Sequence, residues 1–423
     1  MKVLVIGGGG REAAIVWKLS QSKLVKKIYA APGNVGIEQL AELANISQTD
    51  VESLADFAKK SQVDLTIVGP EDALALGVVD IFEAQGLKIF GPTKDAAIIE
   101  YSKKFSKEFM KRNNIPTAKF ETFCDKSSAF NYIKGQKLPI VIKADGLAAG
   151  KGVYICETLA EAESALDDIM VSSKFGTSGN SVVIEEFLSG VEVSILTFVD
   201  GKTVVPMISA KDHKQIYDGA KGANTGGMGT VAPNPAYTAE IAKVCMETIF
   251  KPTVAALAKE GRTYKGSIFF GLILTADGPK VIEYNARFGD PETQVVLPML
   301  GSDLAEICLA CCDGTLDKID VKIKEDSAAV CVILASGGYP DSFERGFEIK
   351  GISDAENADD ALVFFAGVKK DSDKLVTNGG RVLGVTALSD NMAEAVEKAY
   401  EYADKIDFEK KYMRRDIGRD FAL

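Results

Sequence analysis

Glu283 and Asn285 lie two residues apart in the run Val281-Ile-Glu-Tyr-Asn-Ala-Arg-Phe-Gly-Asp-Pro-Glu-Thr-Gln294. Two apolar residues enter a strand there, and side chains alternate along a strand, so Glu283 and Asn285 share one face. Two oxygen donors side by side suit a hard cation such as Mg²⁺, which usually takes phosphate oxygens as further ligands. Arg287, two residues on, offers a planar fork for a carboxylate or phosphate. Metal, polyphosphate and carboxylate are thus drawn to one place. As a bare Glu-x-Asn pair, the same residues also read as an ordinary strand entering a Gly-Asp-Pro turn.

Two glycine-rich segments add phosphate chemistry. Gly7–Gly10 follows a strand and opens a helix, where amides freed of side chains can hold an anion. A dinucleotide fold would want Gly-x-Gly-x-x-Gly with an acidic residue about 20 positions on. The second strand ends instead in Tyr29-Ala-Ala-Pro32, so phosphate is indicated more strongly than NAD. In Ile140-Val-Ile-Lys-Ala-Asp-Gly-Leu-Ala-Ala-Gly-Lys-Gly-Val153, Lys143 closes an apolar run, where a bare ammonium is costly without an anionic partner. Lys151 sits among glycines able to fold over a nucleotide, although a solvated loop explains it as well. Gly152 after that lysine excludes a Walker-type loop. Glu185 or Glu186 could accept from an adenine amino group and Glu192 from ribose hydroxyls. Singly, each glutamate also reads as a solvated hairpin face.

The elements that must position these residues fall into three textures. The first hundred residues alternate strand and helix: strands Lys2–Ile6, Lys27–Ala31, Leu65–Val68 and Lys88–Phe90, helices Glu12–Ser20, Val51–Ser61 and Leu74–Gln85. This predicts an α/β fold opening with a doubly wound parallel sheet, whose ligands bind beyond the carboxyl ends of the strands at Gly7–Gly10 and Gly69–Asp72. From Tyr101 a basic helix (Ser102–Asn113) leads to strands at Lys119–Phe123, Ile140–Lys143, Val182–Glu186, Val191–Val199, Val204–Ser209, Ser267–Leu274 and Lys280–Asn285. A long loop from Lys211 to Pro235 reads as functional or disordered. From Ser327 come strands at Ala328–Leu334, Leu362–Val368 and Val382–Ala387, then a helix at Asn391–Ile406.

Composition bounds the rest. A chain of 423 residues exceeds one core and predicts about two to four domains. With 46% hydrophobic and 26% charged residues it reads as an ordinary globular protein, and a formal charge of −11 argues against nucleic-acid or anionic-membrane partners. No apolar run approaches the ~20 residues of a membrane span. Seven cysteines argue against a disulfide framework and for a reducing, cytoplasmic compartment. Cys308-x-x-Cys311-Cys312 lies in a helical pattern closed by Gly314 and far from the only histidine, His213, so packing is a better reading than zinc.

Together, Gly7–Glu12, Gly69–Glu71, Lys143–Val153, Glu185–Glu192, Asp212-His-Lys214, Asn224-Thr-Gly-Gly-Met-Gly229, Glu283–Gln294 and Arg414-Arg-Asp-Ile-Gly418 resemble the phosphoribosylamine–glycine ligases, an ATP-grasp family of purine biosynthesis. The resemblance implies a doubly wound N-terminal domain (1–101), central ATP-grasp α+β domains (102–325, with a small lid at about 121–188) and a small mixed α/β C-terminal domain (326–423). It implies a cytoplasmic monomer, of single activity because the chain closes shortly after Gly418, acting on ATP, glycine and 5-phosphoribosylamine with Mg²⁺ or Mn²⁺. Lys103, Lys143, Lys151, Glu185, Glu186, Leu188 and Glu192 would bind ATP, and Glu283 and Asn285 the metal. Gly8, Gly9, Gly10, Glu71, Asn224, Thr225, Gly226 and Arg287 would place the other substrates, with Arg287, Lys143 and Asp212 catalytic. Glycine's carboxylate would attack the γ-phosphate, and the sugar amine would capture the glycyl phosphate beneath the Lys211–Gly229 loop. Two departures touch the sugar-phosphate end: Ala13 where the family has histidine, and Asp72-Ala73 after Glu71 where it has Ala-Pro. Rival readings are another ATP-grasp ligase, a dinucleotide-dependent oxidoreductase, and a nucleotide-binding regulator without turnover.

Overall fold

The computed structural model describes residues 1–147, 152–172, 174, 176–356 and 360–421. Its first sheet has five parallel strands in the order Glu42–Leu43, Lys27–Pro32, Lys2–Gly7, Leu65–Val68, Ile89–Phe90. Both faces are covered, which is why its central strand is apolar without alternation. Val3 and Val5 pack with Ala13, Ile15 and Leu19 of the helix Gly10–Ser20. Leu4 and Ile6 pack on the other side with Leu54, Ala58 and Phe82. The helix expected over Leu74–Gln85 is two, Glu71–Ala75 and Val78–Ala84, because Gly77 between them adopts a left-handed backbone (φ 83°). A helix that sequence patterning did not anticipate, Lys94–Tyr101, follows the fifth strand and carries Glu100.

The central and C-terminal parts share one antiparallel sheet. It runs Gly278–Asn285, Lys265–Thr275, Val191–Asp200, Val204–Asp212, Gly229–Ala232, Ala328–Ser336, Arg381–Ser389, Ala361–Phe365, with Lys411–Tyr412 also paired to Ala328–Ser336. The stretch expected as a loop from Lys211 to Pro235 is therefore largely ordered. Val204–Asp212 reaches into it, Gln215–Tyr217 pairs with Lys221–Asn224, and Gly229–Ala232 is a buried strand of the large sheet. The strand expected over Leu362–Val368 ends at Phe365, and Val368–Asp371 begins a separate ribbon with Lys374–Thr377. A smaller sheet, Phe120–Phe123, Val182–Glu186, Ile140–Ala144, Val153–Cys156, stands apart with its own apolar core around Ile142, Ile184 and Leu166. Cys308 and Cys311 are buried in the helix Leu304–Asp313, which Gly314 closes in a left-handed conformation. No helix among the described residues is long and apolar enough to cross a membrane.

Candidate functional site

A cleft of about 590 Å³ opens where the three sheets meet, with the edge strand Gly278–Asn285 in its wall. An irregularity opposite Gly271 and Leu272 gives that strand one extra residue, so Val281 and Tyr284 both enter the core. Glu283 and Asn285 are left on the cleft side. Gly271 faces Glu283, and a Cβ there would stand 3.1 Å from the Glu283 Cγ.

Part of the cleft wall is lined with lysines. Lys103 and Lys107 are four apart on the helix Lys103–Arg112, hence on one face. Ser102 caps that helix by accepting from the Phe105 amide (3.1 Å). Lys103 Nζ donates to the Gly146 carbonyl (2.8 Å). Lys143 finds the anionic partner its position demanded: its Nζ is 2.8 Å from Glu185 Oε1, while Lys107 Nζ is 2.7 Å from Oε2. Glu185 is thus held between two ammoniums while still lining the cleft. Burial pushes its carboxyl up, but Lys143 and Lys107 outweigh that and hold it below its ordinary value. Burial brings Lys107 down to about 8. Glu186 accepts from the Lys119 amide (2.9 Å), and Leu188 and Glu192 line the same cleft. Lys151 lies outside the described residues.

Glu283 is met by Lys214 at 3.1 Å, and this neighbouring charge, with Lys143 and Lys103, outweighs burial and holds its carboxyl at about 2. It is therefore a carboxylate at any physiological pH. Asn285 donates its Nδ2 to the Tyr284 carbonyl (3.0 Å), leaving its oxygen as a donor to a cation. The described residues hold no group of three His, Cys, Asp or Glu side chains able to bind a metal unaided. One carboxylate and one amide oxygen beside several lysines fit a Mg²⁺-type ion completed by phosphate oxygens.

Arg287 is engaged through each of its three nitrogens, which its spacing alone did not reveal. Nε donates to Glu71 Oε2 (3.1 Å), Nη2 meets Glu100 Oε1 (3.0 Å), and Nη1 donates to the Phe288 carbonyl (3.1 Å). Only its remaining N–H groups are open to a substrate. Burial raises Glu71, but Arg287 and Arg11 together bring it to about 2. Burial wins at Glu100, raising it to about 7 against the pull of Arg287. Asp212 lines the cleft with a buried Oδ1 that has no hydrogen-bond partner, and burial and then Glu292 push its carboxyl well up. Asn224, Thr225 and Gly226 border the same space.

The glycine loop stands behind this wall rather than in it. Gly9 donates its amide to the Glu12 carboxylate (2.6 Å), so the chain's own anion takes part of the helix N-terminus. Gly8 abuts the Gly33 carbonyl, and a Cβ on Gly10 would stand 2.7 Å from Gln294 Nε2. Arg11, from the same turn, does reach the cleft. Ala13 is buried in the core and is not among the residues lining the cleft.

Lys107, Glu100, Tyr339 and Arg381 were missed in the sequence, while Lys214, Arg11, Asp290 and Glu292 fell within the quoted motifs without a role of their own; all line the cleft. Lys107 carried a signal, its helical spacing from Lys103. Lys214 carried one too, two residues beyond Asp212. Glu100, Tyr339 and Arg381 depend on contacts between distant segments.

The single histidine gives a direct check on the electrostatics beside the cleft. His213 is buried, its Nδ1 is 3.2 Å from the Gly229 carbonyl, and burial with Lys211 and Arg414 lowers it to about 4. Its imidazole NMR signals should stay constant from pH 8 to 5 and titrate only near 4; a midpoint near 6.5 would contradict this environment. Because the folded value lies below the unfolded one, stability should fall as pH drops from about 6.5 towards 4.

Comparison with known proteins bears on the cleft. Three phosphoribosylglycinamide synthetase profiles match: the N domain over residues 1–100, the ATP-grasp (A) domain over 101–293 and the C domain over 329–420. A phosphoribosylamine–glycine ligase of Caldanaerobacter subterraneus is 51% identical, covering 100% of both chains. That of Haemophilus influenzae is 48% identical, covering 99% of this chain and 98% of the relative. The crystal structure of phosphoribosylamine–glycine ligase from Thermotoga maritima superposes with a TM-score of 0.85 at 34% identity, over 99% of this chain and 100% of that one. A biotin carboxylase from Campylobacter jejuni shares the fold, with a TM-score of 0.74 at 14% identity over 100% of this chain and 94% of the other.

Proposed function

Since the chain belongs to the phosphoribosylglycinamide synthetase family, we propose that this cleft is where it joins glycine to 5-phosphoribosylamine at the expense of ATP, in purine biosynthesis. The observation that carries the assignment is the convergence of Lys103, Lys143 and Lys214 on the wall that presents Glu283 and Asn285. Phosphoryl transfer calls for charge neutralisation and positioning more than covalent chemistry. Lys103 and Lys143 hold the ATP phosphates, with Lys151 from the adjoining glycine segment, and Lys107 aligns Lys143 through their shared Glu185. Glu186, Leu188 and Glu192 receive the nucleoside. Glu283 and Asn285 would hold Mg²⁺ or Mn²⁺, which when bound would supply charge neutralisation for the phosphates. Arg287 and Glu71 orient the carboxylate and the sugar end, with Gly8, Gly9 and Gly10 behind them, and Asn224–Gly226 cover the acyl phosphate against water. Asp212, whose buried Oδ1 lies in the cleft with no hydrogen-bond partner, is placed to take the proton the amine loses.

The route through glycyl phosphate has an isotopic test. Glycine's carboxylate oxygen attacks the γ-phosphorus, ADP leaves, and the amine nitrogen then displaces phosphate from the acyl carbon. With ¹⁸O in both carboxylate positions, one labelled oxygen should appear in inorganic phosphate and the other in the amide. Formation of AMP and pyrophosphate, or unlabelled phosphate, would exclude this chemistry.

A further inference from the structure

Thr225 and Gly226 border the cleft, and the stretch Thr225-Gly226-Gly227 has little conformational restraint of its own, since two of its three residues are glycine. Its amides are taken within the protein. Thr225 N–H goes to the Lys214 carbonyl (2.8 Å), Gly227 N–H to Thr225 Oγ1 (2.9 Å), and Gly226 N–H to the Tyr339 hydroxyl (3.0 Å). Arg381 reaches the same loop from the large sheet. Its Nη1 donates to the carbonyls of Gly226 (2.6 Å) and Asp290 (2.9 Å), and its Nη2 is 3.3 Å from Asp290 Oδ1. The approach is close: a Cβ on Gly226 would stand 3.0 Å from the Arg381 Cζ. Asp290 in turn accepts from Gln294 Nε2 (2.8 Å), the group that abuts Gly10. One guanidinium thus ties the cover loop to the segment after the metal strand, and through it to the glycine turn.

We infer that Arg381 and Tyr339 are positioning residues that hold Thr225–Gly227 in place and so decide whether the acyl phosphate meets the amine or water. Neither residue transfers a group. The inference rests on the ligase reading above. In the productive step the amine nitrogen bonds to the glycyl carbon, the carbon–oxygen bond to phosphate breaks with its electron pair leaving on phosphate, and the amine loses a proton. In the wasteful step a water oxygen attacks that carbon instead, returning glycine and phosphate after ATP has been consumed.

The test is the ratio of ADP released to glycinamide ribonucleotide formed, at saturating glycine, ATP and phosphoribosylamine. It is measured on the wild type, Arg381→Met, Arg381→Lys and Tyr339→Phe, with thermal midpoints alongside. The wild type should give a ratio near one. Arg381→Met should raise it roughly fivefold as water gains access, with the KM for ATP unchanged. Arg381→Lys should restore part of the coupling, and Tyr339→Phe should raise the ratio less than Arg381→Met. Should Arg381→Met fail to fold, the other two variants carry the test. A ratio staying at one in every folded variant, even with lower turnover, would overturn the inference and leave the pair a role in stability alone. A wild type that joins no glycine would overturn the ligase reading itself, a separate result.

Discussion

Glu283→Gln should lower ATP turnover by about three orders of magnitude while leaving the fold intact. The substitution keeps the side chain's shape but removes the charge that faces Lys214 and that, on the proposed assignment, would hold the metal. A metal bridging phosphates supplies several kcal/mol of transition-state stabilisation, and about 1.4 kcal/mol is a factor of ten in rate. The structural penalty is smaller. Leaving one partner of a fully buried pair unpaired costs about 3–5 kcal/mol, but the Glu283 and Lys214 side chains are 29% and 31% exposed, so water relieves most of it. Steady-state ADP release at ordinary magnesium, with a denaturation curve beside it, separates the two effects. Near-normal ADP release would remove Glu283 from the metal site.

Arg287→Lys should be nearly as damaging, for a geometric reason. The guanidinium meets Glu71, Glu100 and the Phe288 carbonyl through three different nitrogens, which a single ammonium cannot do. Glu71 would lose its strongest neighbour, so kcat/KM for phosphoribosylamine should fall about a hundredfold or more, the scale of a misplaced positioning group. An equal fall in kcat/KM for ATP alone would refute that placement. The lysine variant should also change how stability depends on pH. Glu100 titrates near 7 when folded, above its unfolded value, so the folded state binds the extra proton. Its contribution is present at low pH and is lost as pH rises from about 4.5 to 7. Weaker compensation by lysine should extend that loss above 7, visible in urea unfolding at pH 6 and 8.

Local rules carried far where the controlling interactions are local. Val51–Ser61, Leu65–Val68 and Val182–Glu186 run as the sequence pattern places them, the first because Asp50 caps it by accepting from the Ser53 amide. Glu283 and Asn285 were legible as a pair because strand alternation alone puts them on one face. The failures have physical reasons too. Gly77 looks like a tolerated helical residue until its positive φ splits the helix in two. Gly229–Ala232 is short and carries little apolar signal, and becomes a buried strand only because Ala328–Ser336 lies against it. Glu100 needed an unanticipated helix, and Arg381 acts on a loop 155 residues away in sequence. Periodicity in a single segment contains neither fact. Arg287 is the instructive case: its chemistry was legible, but that two carboxylates already engage it was not.

The large sheet also fixes an order of events during synthesis. Gly229–Ala232 pairs on one side with Val204–Asp212, which precedes it, and on the other with Ala328–Ser336, which the ribosome makes later. At about 5–20 residues per second, roughly a hundred residues of translation separate the two partners, a wait of about 5–20 seconds. Throughout that interval the nascent sheet exposes an open edge, able to recruit another chain's strand. The strand Gly229–Ala232 offers that edge no charged side chain for protection. Translation speed between residues 233 and 336, or a chaperone resident on that edge, should therefore govern the yield of native protein more than the final stability does.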